Sequence, residues 1–281
     1  MNVALRFRSE QLVKLAVYAV LIAMSAFMVF PFVWMLVSSL KPFPEIFSGA
    51  HFLPEHWTLH NFASFFHQTN AARALWNSFY IATATTALSL FLCALGGYGF
   101  AKFRFPGRTL LFAFVIATLA VPFAAIVVPL FVMMRNTFHW VDTPWPLIVP
   151  SAANAFGIFF MRQYMLSIPD EILDAARVDG ASEPRIFLRV VLPVCAPALI
   201  SLGIIVFIAS WNGFLWPLVV LPSPQHWTLP LVLRSLQGPP GRTPYDVLMA
   251  GSVVSTLPLV IGFLVFQRRL VSGIMAGTVK G

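Results

Sequence analysis

Asp170, Glu171, Asp174, Asp179 and Glu183 are five of the ten acidic residues in a chain of 281, and all of them fall between Ser167 and Pro193. Carboxylates gathered into one polar segment of an otherwise apolar chain do the chemistry of attachment. They offer charge and hydrogen-bond acceptors to something in water. Ala175 and Ala176 sit among them and leave a surface smooth enough for another backbone to come close. Asp179-Gly180-Ala181 follows, and glycine accepts the left-handed conformation that ends a helix. Ser167 can cap a first helix with Pro169 in its first turn, and Ser182 a second with Pro184 in its first turn. The dipole of the first helix favours Asp170 and Glu171 at its start. The spacing therefore predicts a helix–turn–helix over 167–193. A helix lying on lipid headgroups is the competing reading. Arg177, Arg185 and Arg189 suit it, five acids beside anionic lipid do not, and on the residues alone the two readings stand level.

A second group has a different chemistry. Asn154, Trp211, Asn212 and Trp216 place amide and indole groups inside apolar stretches. Such groups can bond the hydroxyls and stack on the C–H faces of a polyhydroxylated ligand. They serve equally well as interhelical hydrogen bonds and packing. Other sites are not apparent. The six histidines lie outside the expected spans and none has H-E-x-x-H spacing, and no Gly-x-x-x-x-Gly-Lys-Ser/Thr loop is present. Cys93 and Cys195 lack nearby partners for a zinc site and read as small packing residues. No catalytic residue, metal site or cofactor is expected.

The elements that must hold these groups are membrane helices. The chain is 59% hydrophobic and 10% charged, where a soluble domain carries about a quarter charged residues. Its net charge of +8 sits between apolar stretches, which suits membrane flanks and not nucleic acid. Apolar stretches run over 15–40, 74–101, 109–134, 143–161, 190–233 and 247–267. Crossing the hydrocarbon takes roughly 20 residues, so each reads as one span, the fifth ending near Val220 before the polar, proline-broken 221–226. The expected fold class is all-α, with six transmembrane helices over 15–267, a cytoplasmic N-terminus at 1–14 and a cytoplasmic tail at 268–281. The first span is read as a retained helix and not a cleaved signal. Pro122, Pro129 and Pro217 should kink the spans that contain them.

Charge asymmetry sets the orientation. The segments 1–14, 102–108, 162–189 and 268–281 hold 13 of the 18 Lys and Arg residues; the opposite side keeps Lys41, Arg73, Arg135, Arg234 and Arg242. The positive-inside rule then puts both termini and 167–193 in the cytoplasm, and the loops 41–73, 135–143 and 221–246 outside. No Asp or Glu falls inside a span. Secondary transporters and pumps generally need ionisable groups there, so the energy for any transport would arrive from another subunit.

Asp174-Ala175-Ala176-Arg177-Val178-Asp179-Gly180-Ala181, followed by Leu192-Pro193, resembles the EAA loop of ABC importer permeases, with Asp174 where the family usually has Glu. Ser210-Trp211-Asn212-Gly213-Phe214-Leu215-Trp216-Pro217-Leu218 resembles the fifth span of the sugar-importer permeases. The tail from Phe266-Gln267-Arg268-Arg269 through Gly273 and Gly277 to Lys280-Gly281 resembles the ending of the maltose-type members. The resemblance implies a multi-pass permease of a prokaryotic inner membrane, importing a sugar or related polyol. It implies that Asp174, Ala175, Ala176, Asp179, Gly180 and Ala181 form a coupling helix and its elbow, seated in a groove of the ATPase subunit. The implied partners are a second homologous permease, two ATP-binding subunits and an extracytoplasmic solute-binding protein. A self-powered secondary transporter and an integral membrane enzyme acting on a lipid-linked substrate are the alternative classes. The first would be active when expressed alone, and the second would need clustered carboxylates or histidines at the interface.

Overall fold

The computed structural model describes residues 2–48, 51–239 and 241–275, and every regular element among them is helical. The chain divides into two compact units. The first comprises residues 1–69 and 235–256. It contains α1 (Asn2–Ser39), α2 (Phe43–Phe47) and α3 (His60–Gln68). The side chains of α1 from Val13 to Leu36 are almost all exposed, as suits a helix whose solvent is lipid. The segment 41–73, expected as a loop, is partly helical and tightly tied. The Asn61 Nδ2 group donates to the Ser39 and Lys41 carbonyls, both at 2.8 Å. Lys41, buried, donates to the His51 carbonyl at 2.7 Å. Glu45 receives the Glu55 backbone N–H at 3.1 Å and lies 2.7 Å from His56 Nδ1, which holds its carboxyl below the usual range.

The second unit spans residues 70–234 and 257–281. Its centre is α4 (Ala71–Lys102). The helices that follow are α5 (Arg108–Ala117), α6 (Phe123–Asn136), α7 (Trp145–Ala152), α8 (Ala155–Met165), α9 (Asp170–Val178), α10 (Glu183–Ile186), α11 (Leu192–Val194), α12 (Ala196–Trp211), α13 (Leu215–Val220) and α14 (Leu229–Ser235). A π-turn, Phe187–Val191, joins α10 to α11. The last helix, α15 (Tyr245–Met275), begins in the first unit and ends in the second. The tail motif from 276 onward lies outside the described residues.

Three helices are long and apolar enough to cross a membrane: Val13–Ser39, Ala71–Lys102 and Tyr245–Val265. Two bent pairs, Arg108–Ala120 with Phe123–Asn136 and Glu183–Val194 with Ala196–Trp211, would raise the number to five. Of the six expected spans, 15–40, 74–101 and 247–267 coincide with the long helices, 109–134 and the run beginning at 190 with the bent pairs, and 143–161 with neither. The run 109–134 bends by 101° at Val121, which is extended before Pro122 (φ −79°, ψ 115°), the conformation that a following proline favours. The run beginning at 190 bends by 79° beside Cys195, where Pro197 cannot donate to the Pro193 carbonyl and crowds it. It then stops at Trp211 instead of Val220. The expected span 143–161 is two short helices of 8 and 11 residues. Asn154 stops the first and caps the second, accepting from the Gly157 N–H at 2.7 Å. The segment 221–246, expected as a loop, carries α14 with Leu229, Leu231 and Val232 buried.

Two hydrophobic clusters hold this unit together. One gathers Cys93, Ala94, Tyr98, Met161, Met165, Leu173, Ile186, Val191 and Leu202 from α4, α8, α9, α10, the π-turn and α12. The other gathers Ile81, Met134, Leu147, Trp216, Val220 and Leu231. Cys93 and Cys195 are both buried and free, as read from their apolar surroundings.

Candidate functional site

The 167–193 segment folds as two helices with a left-handed elbow. Gly180 has φ +78°. Its N–H donates to the Arg177 carbonyl and the Ala181 N–H to the Ala176 carbonyl, both at 3.0 Å. This crossed pair is the Schellman ending, in which a residue with positive φ lets the chain satisfy the last carbonyls of a helix and turn away. The start of the helix differs from expectation. Ser167 turns its hydroxyl back to the Tyr164 carbonyl (2.7 Å) and does not cap α9. Pro169 occupies the cap position, because Ile168 is drawn into the core and is itself buried. Ser182 does stand at the second cap, with Pro184 just inside, although its side chain makes no cap bond.

Leu173 and Ile186 are buried, and Ala176 and Ala181 pack on the same cluster. The alanine pair is therefore divided. Ala176 faces the protein's own core, while Ala175 is exposed, since neighbouring residues on a helix point about 100° apart. The outward face of α9 carries Glu171, Asp174, Ala175 and Val178, spaced three and four apart, with Asp179 beside it. Val178 is 87% exposed, an apolar side chain that nothing in this hairpin covers.

An ionic lattice that sequence reading did not foresee fixes the hairpin. Arg177 donates to Asp174 Oδ1 and to Glu183 Oε1, both at 2.7 Å, which bridges the elbow and keeps the guanidinium charged above its ordinary range. Tyr98 of α4 donates to Glu183 Oε2 at 2.8 Å. Lys102, at the end of α4, donates to Asp170 Oδ1 at 2.6 Å and pulls that carboxyl below the usual value. Asp174 was expected to hold its charge out to a partner; part of it is spent on Arg177. The three-residue spacing of Asp174 and Arg177 was a readable signal. The pairs Tyr98–Glu183 and Lys102–Asp170 join residues 85 and 68 apart and left no local trace.

The second candidate group is spread over three elements. Asn154 borders the first cluster and uses both ends of its amide, capping α8 and donating to Ser89 Oγ at 3.0 Å. Trp211 is buried and stacks on Phe207 at 5.8 Å. Trp216 belongs to the second cluster and donates from Nε1 to the Pro146 carbonyl at 2.8 Å. Asn212, the residue that ends α12, is exposed.

Residues 92–275 match the family described as Binding-protein-dependent transport system inner membrane component. Two relatives align along nearly the whole chain. The arabinooligosaccharides transport system permease protein AraQ of Halalkalibacterium halodurans is 39% identical, over 90% of this chain and 91% of its own. The lactose transport system permease protein LacG of Rhizobium radiobacter is 37% identical, over 100% of both. The fold matches a chain from the crystal structure of a bacterial ABC transporter involved in the import of the acidic polysaccharide alginate. There the TM-score is 0.84 at 24% identity, over 93% of this chain and 97% of the other. An all-helical chain with several apolar helices, matched to one family across most of its length, belongs to the binding-protein-dependent inner membrane permeases of ABC importers.

Proposed function

We propose that this permease lines half of the pathway through which an ATP-driven importer takes up a sugar or related polyol, and that α9 with its Gly180 elbow is where an ATP-binding subunit attaches. The observation that carries the second part is the hairpin itself. Its inner face is locked to the core by Leu173, Ala176 and Ile186, while its outer face leaves Ala175 and Val178 uncovered. A short helix with an uncovered apolar stripe flanked by acids suits insertion into a groove. The first part rests on relatives whose names specify arabinooligosaccharides and lactose. The importer would comprise this chain, a second homologous permease, two ATP-binding subunits and an extracytoplasmic solute-binding protein. Each bent pair, and the α7–α8 pair, would serve as one span, which gives six, with both termini and 167–193 in the cytoplasm.

Orientation is tested with single cysteines at Ser48 and Ser182 in a background lacking Cys93 and Cys195. An impermeant thiol reagent on intact cells is expected to label the first and spare the second. Labelling of Ser182 alone would invert the topology.

Of the pathway candidates, Asn212 has the exposed side chain, and Trp211 and Trp216 hold the helix break on which it sits. Asn212→Leu is expected to lower sugar uptake by about fivefold, the effect of losing one net hydrogen bond of ~1 kcal/mol, with unchanged co-purification of the ATP-binding subunit. Loss of the assembled complex instead would make Asn212 a packing residue.

A further inference from the structure

The turn between α4 and α5 reads Lys102-Phe103-Arg104-Phe105-Pro106-Gly107-Arg108, and its charge is almost uncompensated. Lys102 is held by Asp170 at 2.6 Å. Arg162 of α8 lies over the Phe112 ring of α5 at 4.2 Å and donates to the Phe100 carbonyl at 3.3 Å. Among the described residues, no carboxylate lies within ion-pair distance of Arg104, Arg108 or Arg162. Asp170 feels Arg104 only at longer range.

The turn is also held in shape. Phe103 meets Tyr98 edge-on at 5.2 Å, and Phe105 packs on Phe100 at 6.1 Å. Two anchored rings thus flank Arg104 and leave it exposed. Arg108 is steadied by its bond to the Phe103 carbonyl at 3.1 Å. Between the two arginines lies an open recess of about 510 Å³, lined by Arg104, Phe105, Gly107, Arg108, Thr109 and Leu110. Gly107 is left-handed (φ +79°), and a side chain there would meet nothing within 4 Å. The first turn of α5 carries no acid and no side-chain cap. Just beyond the recess, Leu110, Leu111 and Phe114 are 76%, 52% and 71% exposed.

We propose that this recess binds the headgroup of an anionic phospholipid. Two guanidiniums on one short turn, Arg108 held by the Phe103 carbonyl and Arg104 exposed beside it, match a phosphodiester, since each can donate a pair of N–H groups to its oxygens. The exposed leucines and Phe114 mark the direction in which the acyl chains would run. An apolar edge directly beside a cationic recess is what separates a lipid site from a site for a soluble anion. Lys102 also anchors α9 through Asp170, so a lipid here would sit next to the candidate attachment hairpin.

The purified full chain is placed in phosphatidylcholine nanodiscs containing spin-labelled phosphatidylglycerol or spin-labelled phosphatidylcholine, and the motionally restricted fraction is measured. The wild type is expected to prefer phosphatidylglycerol, and Arg104→Gln with Arg108→Gln to lose about fivefold for each arginine, the contribution typical of one basic group at an anionic surface. Lysine at both positions should restore most of the preference. Arg185→Gln with Arg189→Gln changes the charge equally at two exposed positions outside the recess and should lose little. Three results would overturn the proposal. One is a wild type with no preference for phosphatidylglycerol, which needs no variant to observe. Another is equal losses in the two double variants, which would mean diffuse attraction. The third is displacement of the labelled lipid by millimolar inorganic phosphate, which would make the recess a soluble-anion site.

Discussion

Gly97→Leu is expected to prevent accumulation of folded permease, while Gly99→Leu, two residues away on the same helix, leaves it nearly normal. A Cβ on Gly97 would stand 2.7 Å from the Met161 Cβ, 2.9 Å from the Arg162 backbone nitrogen and 3.0 Å from the Met161 carbonyl carbon. Two of those atoms are backbone, so no rotamer change relieves the contact and α4 must move away from α8. The crossing is equally close from the other side, where a Cβ on Gly157 would stand 2.6 Å from Cys93 Sγ. Between membrane helices there is no hydrophobic drive, and close approach over small residues supplies much of the association. Overpacking one such contact costs about 1–3 kcal/mol even for a single added methyl group, and a leucine adds three further carbons. That exceeds the roughly 1 kcal/mol of helix propensity gained by replacing glycine. Gly99 has nothing within 4 Å of its Cβ position, so the same substitution there gains the propensity without the clash. The measurement is the monodisperse peak on size-exclusion chromatography, with the melting temperature of whatever protein survives. A Gly97→Leu protein with a wild-type peak and melting temperature would refute the α4–α8 packing described above.

How much of this was legible in the sequence depended on whether the determinant was local. Composition and apolar runs gave an all-helical membrane chain, because the cost of an unpaired backbone group in lipid leaves few other structures. The elbow at Gly180 was legible for the same reason: the residue that permits positive φ and the helix it terminates are neighbours. The run 143–161 misled because a count of apolar residues does not register an Asn154 that caps a new helix, and its cap is reinforced by Ser89, 65 residues away. The stop at Trp211 misled likewise. Pro217 cannot donate to the Gly213 carbonyl, and Trp216 finds its acceptor at Pro146, 70 residues distant. In the candidate site, the carboxylates were found but their partners were not. Tyr98 and Lys102 lie on α4 and reach the hairpin only through the tertiary fold. The division between Ala175 and Ala176 needed the structure for another reason: adjacent alanines are indistinguishable until one knows which of them the core lies under.

The elbow yields the other large expected effect. Gly180→Val is expected to leave the protein inserted and folded, yet to cut co-purification of the ATP-binding subunit by about tenfold and to abolish uptake. At φ +78° an ordinary L-residue costs about 1–2 kcal/mol, and a β-branched one more, because both branches crowd the backbone. A penalty of that size lowers the population of the elbow by about five- to thirtyfold. Once φ turns negative, the Ala181 N–H can no longer reach the Ala176 carbonyl. Arg177 then loses its bridge to Glu183 across the turn, and α9 is no longer held at a fixed angle to α10. The effect would be conformational and not steric within the chain, since nothing lies within 4 Å of the added Cβ. Gly180→Asn separates the two causes. Asparagine tolerates the left-handed region, so attachment and uptake should survive if conformation is what matters. They should fail in both variants if a partner's backbone presses directly on Gly180. Ala175→Trp probes the outward face without touching the core and should also block attachment, whereas Ala176→Trp would disturb the hairpin's own packing and test nothing about the partner. If Gly180→Val and Ala175→Trp both bind the ATP-binding subunit and import sugar normally, the hairpin is a surface feature and the attachment site lies elsewhere.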